Sequence, residues 1–180
     1  MQTSVTLFVA CMAIGAVLNG CTASSQNYSN SWGSIAFDTP IQFSPPADIG
    51  LNAVALVSPP ESQSGAGSME ITLVSVPPDM AEGMENDNEM ILGYLKSTFL
   101  ATSKPGKKTA GRSFLTKTVE GETVSSTIPK PSELEYYLVP LSDGAMMLIA
   151  LRWDSSVTTE DAAAVFAMIA ETLKEIPRTE

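Results

Sequence analysis

The chain has 180 residues, a length that suits one domain, and its 44% hydrophobic and 17% charged content is typical of a globular fold. Twenty acidic against ten basic residues give a formal net charge of −10, which argues against binding to nucleic acid and against electrostatic docking on anionic lipid. The sequence contains no histidine and two cysteines, so imidazole-dependent catalysis and imidazole metal sites are excluded.

The N-terminal segment predicts export and lipid attachment. Residues 1–20 contain no charged side chain, and the apolar run from Val5 to Leu18 suits a signal-peptide core but is too short to span a membrane. The tetrad Leu18-Asn19-Gly20-Cys21 resembles a bacterial lipobox, which implies cleavage before Cys21 and acylation of that cysteine. The alternatives are an ordinary secretory signal with a chance cysteine and a short N-terminal anchor. Residues 1–4 depart from the usual signal-peptide pattern, because they contain no Lys or Arg.

This resemblance predicts a lipid-anchored protein of the bacterial cell envelope. Cys11 would leave with the signal peptide and Cys21 would be acylated, so no thiol and no disulfide are expected in the folded domain. Thr22 follows the cysteine, which by the same resemblance favours the outer membrane, facing the periplasm. We expect residues 21–33 to be the lipidated N-terminus and a flexible tether, and residues 34–180 to form a single domain.

Proline pairs mark off the first half of this domain. Short β-like runs occupy 35–43, 51–57 and 69–76, and each of them ends near a pair of prolines. The third run alternates apolar and polar residues with period two, which predicts one buried face. A helix is predicted over 86–102, with acidic residues before it and Pro105-Gly106 after it.

The second half reads as four strands and a closing helix. The β-like segments are 109–119, 122–128, 134–141 and 145–153. Ser142-Asp143-Gly144 has the composition of a hairpin turn between the last two. Thr158 opens the final helix with a capping-box pattern, and Pro177 ends it. The fold class predicted is therefore α+β, an antiparallel sheet of about six or seven strands with two main helices packed on it.

The order of elements in the C-terminal half resembles a known family. The run Glu135-Tyr136-Tyr137-Leu138-Val139 leads through the Ser142-Asp143-Gly144 turn into an apolar strand, and a helix with a Phe166, Ile169 and Leu173 stripe follows. This resembles the PsbP-like family of α/β/α sandwiches, over about residues 34–176. The family includes photosystem II PsbP, a yeast nuclear Ran-release factor and the periplasmic lipoprotein DcrB. The resemblance implies a non-catalytic accessory or assembly protein, and no site residue is carried over from it.

Catalytic motifs are missing from the sequence. With no histidine and no thiol in the domain, a serine nucleophile would need a lysine base, and neither Ser-x-x-Lys nor Gly-x-Ser-x-Gly occurs. Glu82, Glu85, Asp87 and Glu89 could bind calcium, but we interpret them as a charged helix start. We interpret Glu133 and Glu135, beside two tyrosines, as the solvent-facing side of a strand. We expect no enzyme activity, no cofactor and no resident metal.

The basic residues are strongly clustered along the chain. Residues 1–95 contain nine acids and no base, and six bases then occur between Glu89 and Glu120. We identify five of them as candidates for binding an acidic partner: Lys104, Lys107, Lys108, Arg112 and Lys117. A merely solvated hairpin is the alternative.

The function expected is therefore that of a membrane-anchored, non-catalytic lipoprotein that presents a small binding or assembly domain to an envelope protein. The alternative is a small-ligand or cation-binding lipoprotein of the periplasm, which would use the carboxylates of 82–89 or a pocket between sheet and helix.

Overall fold

A computed structural model describes residues 23–29, 34–62, 67–102, 105–126 and 130–176. Its helices and strands, in chain order, are β1 Ser24–Ser29, β2 Ser34–Thr39, β3 Ala47–Gly50, β4 Ala53–Ser58, β5 Met69–Val76, α1 Pro78–Phe99, β6 Lys107–Lys108, β7 Arg112–Phe114, β8 Lys117–Val119, β9 Gly121–Ser126, β10 Ser132–Pro140, β11 Met146–Asp154, α2 Thr159–Thr172 and β12 Lys174–Glu175. Within those described ranges, no helix is both long and apolar enough to cross a membrane.

A seven-stranded sheet forms the centre of the domain, with strand order β3-β4-β5-β11-β10-β9-β6 and antiparallel pairing throughout. The hairpin predicted at Ser142-Asp143-Gly144 is confirmed, because β10 and β11 pair over nine positions on either side of it. Gly144 takes a φ of +85°, which a residue with a side chain rarely adopts. The α+β class and the predicted number of strands are thus confirmed.

Both faces of the central sheet are buried. Along β11, Met147, Ile149 and Leu151 belong to one hydrophobic cluster, which also includes Phe166 and Ile169 of α2. The intervening Leu148 and Ala150 belong to a second cluster, which includes Leu95 of α1. Since side chains alternate between the faces of a strand, each helix contributes to the core on a different face of the sheet.

The closing helix α2 follows its sequence signals closely. The Thr158 hydroxyl accepts a hydrogen bond from the Asp161 backbone N–H at 3.1 Å, as the capping pattern predicts. Phe166 and Ile169 of its predicted stripe are fully buried, and Leu173 at the C-cap is nearly so. A smaller sheet of order β1-β2-β12 joins the same core through Ile35 and Phe37 of β2.

The structure differs from the predicted elements at several places along the domain. The strand predicted over 35–43 ends at Thr39 and belongs to the smaller sheet, and β3, β6 and β12 have no counterpart among the predicted strands. Helix α1 begins at Pro78 rather than at residue 86, because proline is favoured at the first helical position as well as at a strand end. The single strand predicted over 109–119 is instead the hairpin β7–β8. Leu115 and Thr116 form its turn with φ values of 48° and 76°, and neither residue type signals such a turn in the sequence.

The predicted tether also differs. Residues 24–29 form β1 and pair with β2 over six positions. Their Ser- and Asn-rich composition suggests a linker, but strand pairing requires only backbone N–H and C=O groups. Gln26 is buried within this strand.

Candidate functional site

The candidate partner-binding residues lie on two successive elements of the fold. Lys107 and Lys108 form β6, the last strand of the central sheet, and pair with Thr123 and Glu122 of β9. Arg112 begins β7 and Lys117 begins β8, in the hairpin that follows and that forms a separate two-stranded sheet. Lys104 lies outside the described residues. The structure therefore places Lys107 and Lys108 on the edge of the central sheet, and Arg112 and Lys117 in the β7–β8 hairpin.

A cluster on the α1 face of the sheet holds residue 106, which precedes Lys107. Glu122 accepts hydrogen bonds from Lys96 Nζ at 3.3 Å and from the Gly106 backbone N–H at 3.2 Å, and the Tyr136 hydroxyl donates to the same carboxylate. Lys96 Nζ also lies 5.4 Å from the centroid of the Tyr136 ring. Lys96 is only 8% exposed, so this base of the clustered six stabilises the fold and is not presented to a partner.

The surroundings of Tyr136 and Glu122 shift the pKa values of both groups. Burial raises the pKa of Tyr136, and its hydrogen bond to Glu122 raises it further. Burial alone would raise the pKa of Glu122, but the hydrogen bond from Tyr136 and the charge of Lys96 outweigh it, so the pKa of Glu122 is lowered. At neutral pH Glu122 is therefore a carboxylate and Tyr136 a neutral phenol.

A second cluster, on the α2 face, holds residues 109 and 112, which follow Lys108. Arg112 Nε donates to Glu135 Oε1 at 3.3 Å and to the Tyr137 hydroxyl at 3.0 Å, and the Tyr137 hydroxyl donates to Glu135. Thr109 Oγ1 lies 3.2 Å from the same hydroxyl. The guanidinium carbon of Arg112 is 5.6 Å from the Phe166 ring centroid. Arg112 therefore belongs to the packed interior of this corner rather than to its open surface.

Strand β10 supplies both clusters from adjacent residues. Tyr136 and Tyr137 are each at most 2% exposed, because neighbouring side chains of a strand point to opposite faces and both faces here are covered. The solvent-facing assignment of Glu135 is wrong, since its side chain is 12% exposed and paired with Arg112. The assignment of Glu133 is confirmed, as it is exposed and accepts a hydrogen bond from Ser125. The two consecutive tyrosines of this strand are a sequence signal that could have indicated burial on both faces.

Three lysines of this region remain presented to solvent, and we call Lys107, Lys108 and Lys117 the basic edge. The first two lie in β6, between the residues that the two clusters hold, and Lys117 lies in β8. All three are exposed. Lys108 pairs with Glu120 at 3.1 Å, but the two side chains are 79% and 72% exposed, so this pair contributes about 0–1 kcal/mol. Within the part of the chain that the structure describes, Lys107 and Lys117 form no ion pair.

One cavity in the described part of the structure is too small for an organic ligand. A cavity at the end of β5, β10 and β11 is lined by Ser68, Lys130, Ser132 and Arg152 among others, and it can hold about one water molecule. Ligand pockets usually enclose several hundred Å³, about 300 Å³ or more. Among the described residues, no group of three or more Asp, Glu, His or Cys side chains is arranged to hold a metal ion. The side chains of Glu82, Glu85, Asp87 and Glu89 lie outside the described part of the structure.

One ion pair at this cavity makes stability depend on pH. The hydrogen bonds from Lys130, at 2.7 Å, and from Ser156 lower the pKa of Asp154 from 3.8 to about 2. A lowered folded-state pKa adds stability above the unfolded value, and that stability is lost as the pH falls from about 4 towards 2.

We therefore expect Lys130→Met to be less stable than the parent by about 1 kcal/mol at pH 6, with the difference shrinking towards pH 2. Urea unfolding at pH 6, 4 and 2.5 measures it. Lys174→Met, on the exposed side of β12, controls for the loss of a positive charge. A difference that stays constant over this pH range would contradict the assignment.

Comparison with known proteins identifies a fold but no family. No family model matches the chain, and a search of curated proteins finds no match. The Ran-binding protein Mog1p of Saccharomyces cerevisiae superposes with a TM-score of 0.51 at 10% identity, covering 85% of this chain and 96% of that one. At this identity, the likeness shows a similar fold alone.

Two further solved structures are more distant. A variant of protein Mog1 gives a TM-score of 0.47 at 11% identity, over 84% of this chain and 95% of that one. A protein from Bacteroides thetaiotaomicron VPI-5482 gives 0.46 at 7% identity, over 81% of this chain. The present chain spans 46% of the length of that protein.

Proposed function

We propose that this protein is a non-catalytic lipoprotein of the bacterial cell envelope, anchored through Cys21 and most consistent with an outer-membrane position facing the periplasm. Its domain binds another envelope protein through the basic edge. The apolar run followed by Leu18-Asn19-Gly20-Cys21 supports the anchor. The lipid, rather than the charge of the domain, holds the protein at the membrane, since two or more acyl chains give stable anchoring.

The domain is best described as an α/β/α sandwich of the PsbP-like type. The two hydrophobic clusters support this description, because α1 contributes to one and α2 to the other, on opposite faces of the central sheet. The likeness to Mog1p, at a TM-score of 0.51, supports the same arrangement. Mog1p is a Ran-binding protein, and protein binding rather than catalysis is the activity that we carry to the present chain.

The fixed position of the basic edge is the observation that carries the binding proposal. The Glu122 cluster holds residue 106 and the Glu135 cluster holds residues 109 and 112, so Lys107 and Lys108 are presented from a braced strand, and Lys117 follows in β8. Such preorganisation lowers the entropy that a binding surface loses when a partner docks. Lysines on an edge strand also discourage pairing with other strands, so the basic edge favours an acidic side-chain surface over an added strand.

We expect the triple change Lys107→Glu, Lys108→Glu and Lys117→Glu to abolish capture of the partner, because it replaces attraction with repulsion. The measurement is cross-linking in intact cells, with the captured protein identified by mass spectrometry for the wild type. Its recovery with the variant should fall by about tenfold or more, which corresponds to about 1.4 kcal/mol. Arg112 is left unchanged, since its loss would disturb the fold.

Lys174→Glu is the matched control, as it reverses one exposed lysine on a different sheet. It should retain the partner, and thermal melts should show both variants folded. Equal recovery from the wild type and the folded triple variant would exclude the basic edge as the binding surface. Loss of the wild-type complex at about 1 M salt, where the screening length is about 3 Å, is the accompanying expectation.

The anchor has its own test. The intact mass of protein from the membrane fraction should correspond to a chain that begins at Cys21 and carries acyl groups. The Cys21→Ala variant should lack those groups and leave the membrane fraction, because acylation requires the thiol. An unmodified mass, or cleavage at another position, would exclude the lipid anchor.

A further inference from the structure

The distance between the proposed lipid and the folded domain is short. Strand β1 begins at Ser24, three residues after Cys21. Ser24 pairs with Thr39 of β2, and the Thr39 hydroxyl donates to the Ser24 carbonyl at 3.3 Å. Residues 24–29 are therefore part of the fold, over a stretch where the composition alone suggests a free tether.

Chain geometry then limits how far the domain can lie from the membrane. Three fully extended residues span at most about 11 Å. A cysteine that carries acyl chains has its backbone at the level of the lipid headgroups. Ser24 would consequently lie within about 11 Å of the headgroups, which is close to the screening length of about 8 Å at physiological ionic strength.

The surface nearest to that point carries little charge. The neighbours of Ser24 in sequence and across the strand pair lie in 22–26 and 37–46, and Asp38, which pairs with Ser25, is the one charged residue in these ranges. Asp38 is also the single charged residue of positions 1–47, although the chain as a whole carries −10. Ser25 and Gln42 are exposed, and Ile41 is half-buried against the core. So low a charge at this position limits repulsion from anionic lipid.

We propose that residues 23–25 and 40–42 form a membrane-facing surface, against which the lipid bilayer lies. The proposal rests on the anchor at Cys21 proposed above. It gives the domain a defined orientation, in place of free movement on a tether of about a dozen residues. The Ser142–Gly144 turn lies away from this surface, because its contact with Glu175 connects it to Ile35, at the opposite end of β2 from Thr39.

The test compares two fluorescent labels on the lipidated protein in vesicles of phosphatidylethanolamine and phosphatidylglycerol. One label is attached through Gln42→Cys and the other through Ser142→Cys, and a headgroup-bound spin label quenches fluorophores near the membrane surface. We expect severalfold stronger quenching at position 42 than at 142. Inserting 12 Gly and Ser residues between Thr22 and Ala23 should remove most of that difference, because β1 would then be freed from the short connection.

The outcomes separate this inference from the proposed function. Equal quenching at the two positions would overturn the membrane-facing surface while leaving the anchor intact. A quenching difference that persists with the inserted linker would support the surface and exclude the short connection as its cause. If neither labelled protein floats with vesicles, or if the Cys21→Ala variant floats equally well, the anchor itself fails and the inference falls with it. A double change of Ser25→Glu and Gln42→Glu should reduce the quenching of a label attached through Ile41→Cys, because the added charges are repelled by anionic lipid. The same double change should leave the quenching of the label at position 142 almost unchanged.

Discussion

Replacing Gly121 by alanine should be among the most damaging single changes in the protein. A Cβ at this position would lie 2.5 Å from Tyr137 Cε1 and 2.8 Å from the Tyr136 carbonyl oxygen. Gly121 is paired directly with Tyr137 across β9 and β10, so the tyrosine ring covers the space that a side chain would need. Tyr137 cannot move aside, because its ring packs against Phe114 and Phe166 at centroid distances of 5.1 and 5.2 Å.

We expect Gly121→Ala to lower the free energy of unfolding by about 3 kcal/mol and the melting temperature by about 10 °C. Urea unfolding followed by circular dichroism measures the first quantity. Gly93→Ala is the matched control, because a Cβ there meets nothing within 4 Å and the site is in the exposed part of α1. That control should be stabilising by up to about 1 kcal/mol. A Gly121→Ala protein as stable as the wild type would show that Tyr137 does not fill this space.

The second large effect is expected from Arg112→Met, which leaves the Glu135 carboxylate without its cation. Glu135 is 12% exposed and Arg112 is 25% exposed, so water can compensate only in part for the lost charge pair. The Tyr137 hydroxyl would still donate to Glu135, which limits the loss. We expect a destabilisation of about 2–3 kcal/mol. Denaturant unfolding at neutral pH provides the measurement.

Lys108→Met provides the contrast for this prediction. It removes the cation of another ion pair in the same segment, but both partners there are more than two-thirds exposed, so the change should be within about 0.5 kcal/mol. The double variant Arg112→Met, Glu135→Gln should lose less free energy of unfolding than the sum of the two single changes. Glu135→Gln removes the carboxylate charge that Arg112→Met leaves without a cation. If Arg112→Met and Lys108→Met had equal effects, Arg112 would be a surface residue like the lysines.

These expectations separate two roles within one cluster of basic residues. Lys96 and Arg112 each meet a glutamate and a tyrosine, and their loss should appear as lower stability. Lys107 and Lys117 meet no acid among the described residues, and their reversal should appear as lost binding in a folded protein. A partner-binding experiment that included Arg112 would confuse the two.

Helices and strands with local signals can be predicted from the amino-acid sequence. The bounds of β5 follow from a β-like run between turn residues, and the β10–β11 hairpin follows from Asp143-Gly144. The prediction of one buried face for β5 is wrong, because both faces of the central sheet are covered and only Glu70 of this strand is not buried. Thr158 and the stripe of α2 likewise specify a helix start and a buried face. In each case a backbone preference and a hydrophobic period within about ten residues agree, so no distant part of the chain is needed to decide the outcome.

Which groups meet across the sheet depends on long-range contacts. Nothing in the local sequence around Lys96 indicates Glu122, and nothing around Arg112 indicates Glu135, because each pair joins two elements that are distant in the sequence, α1 with β9 and β7 with β10. The same holds for β1, whose polar residues pair with β2 through backbone groups that every residue type carries. Long-range hydrogen bonds and charge pairs have no period along the chain, so the division of the basic residues into buried and presented ones appears only when the strands come together.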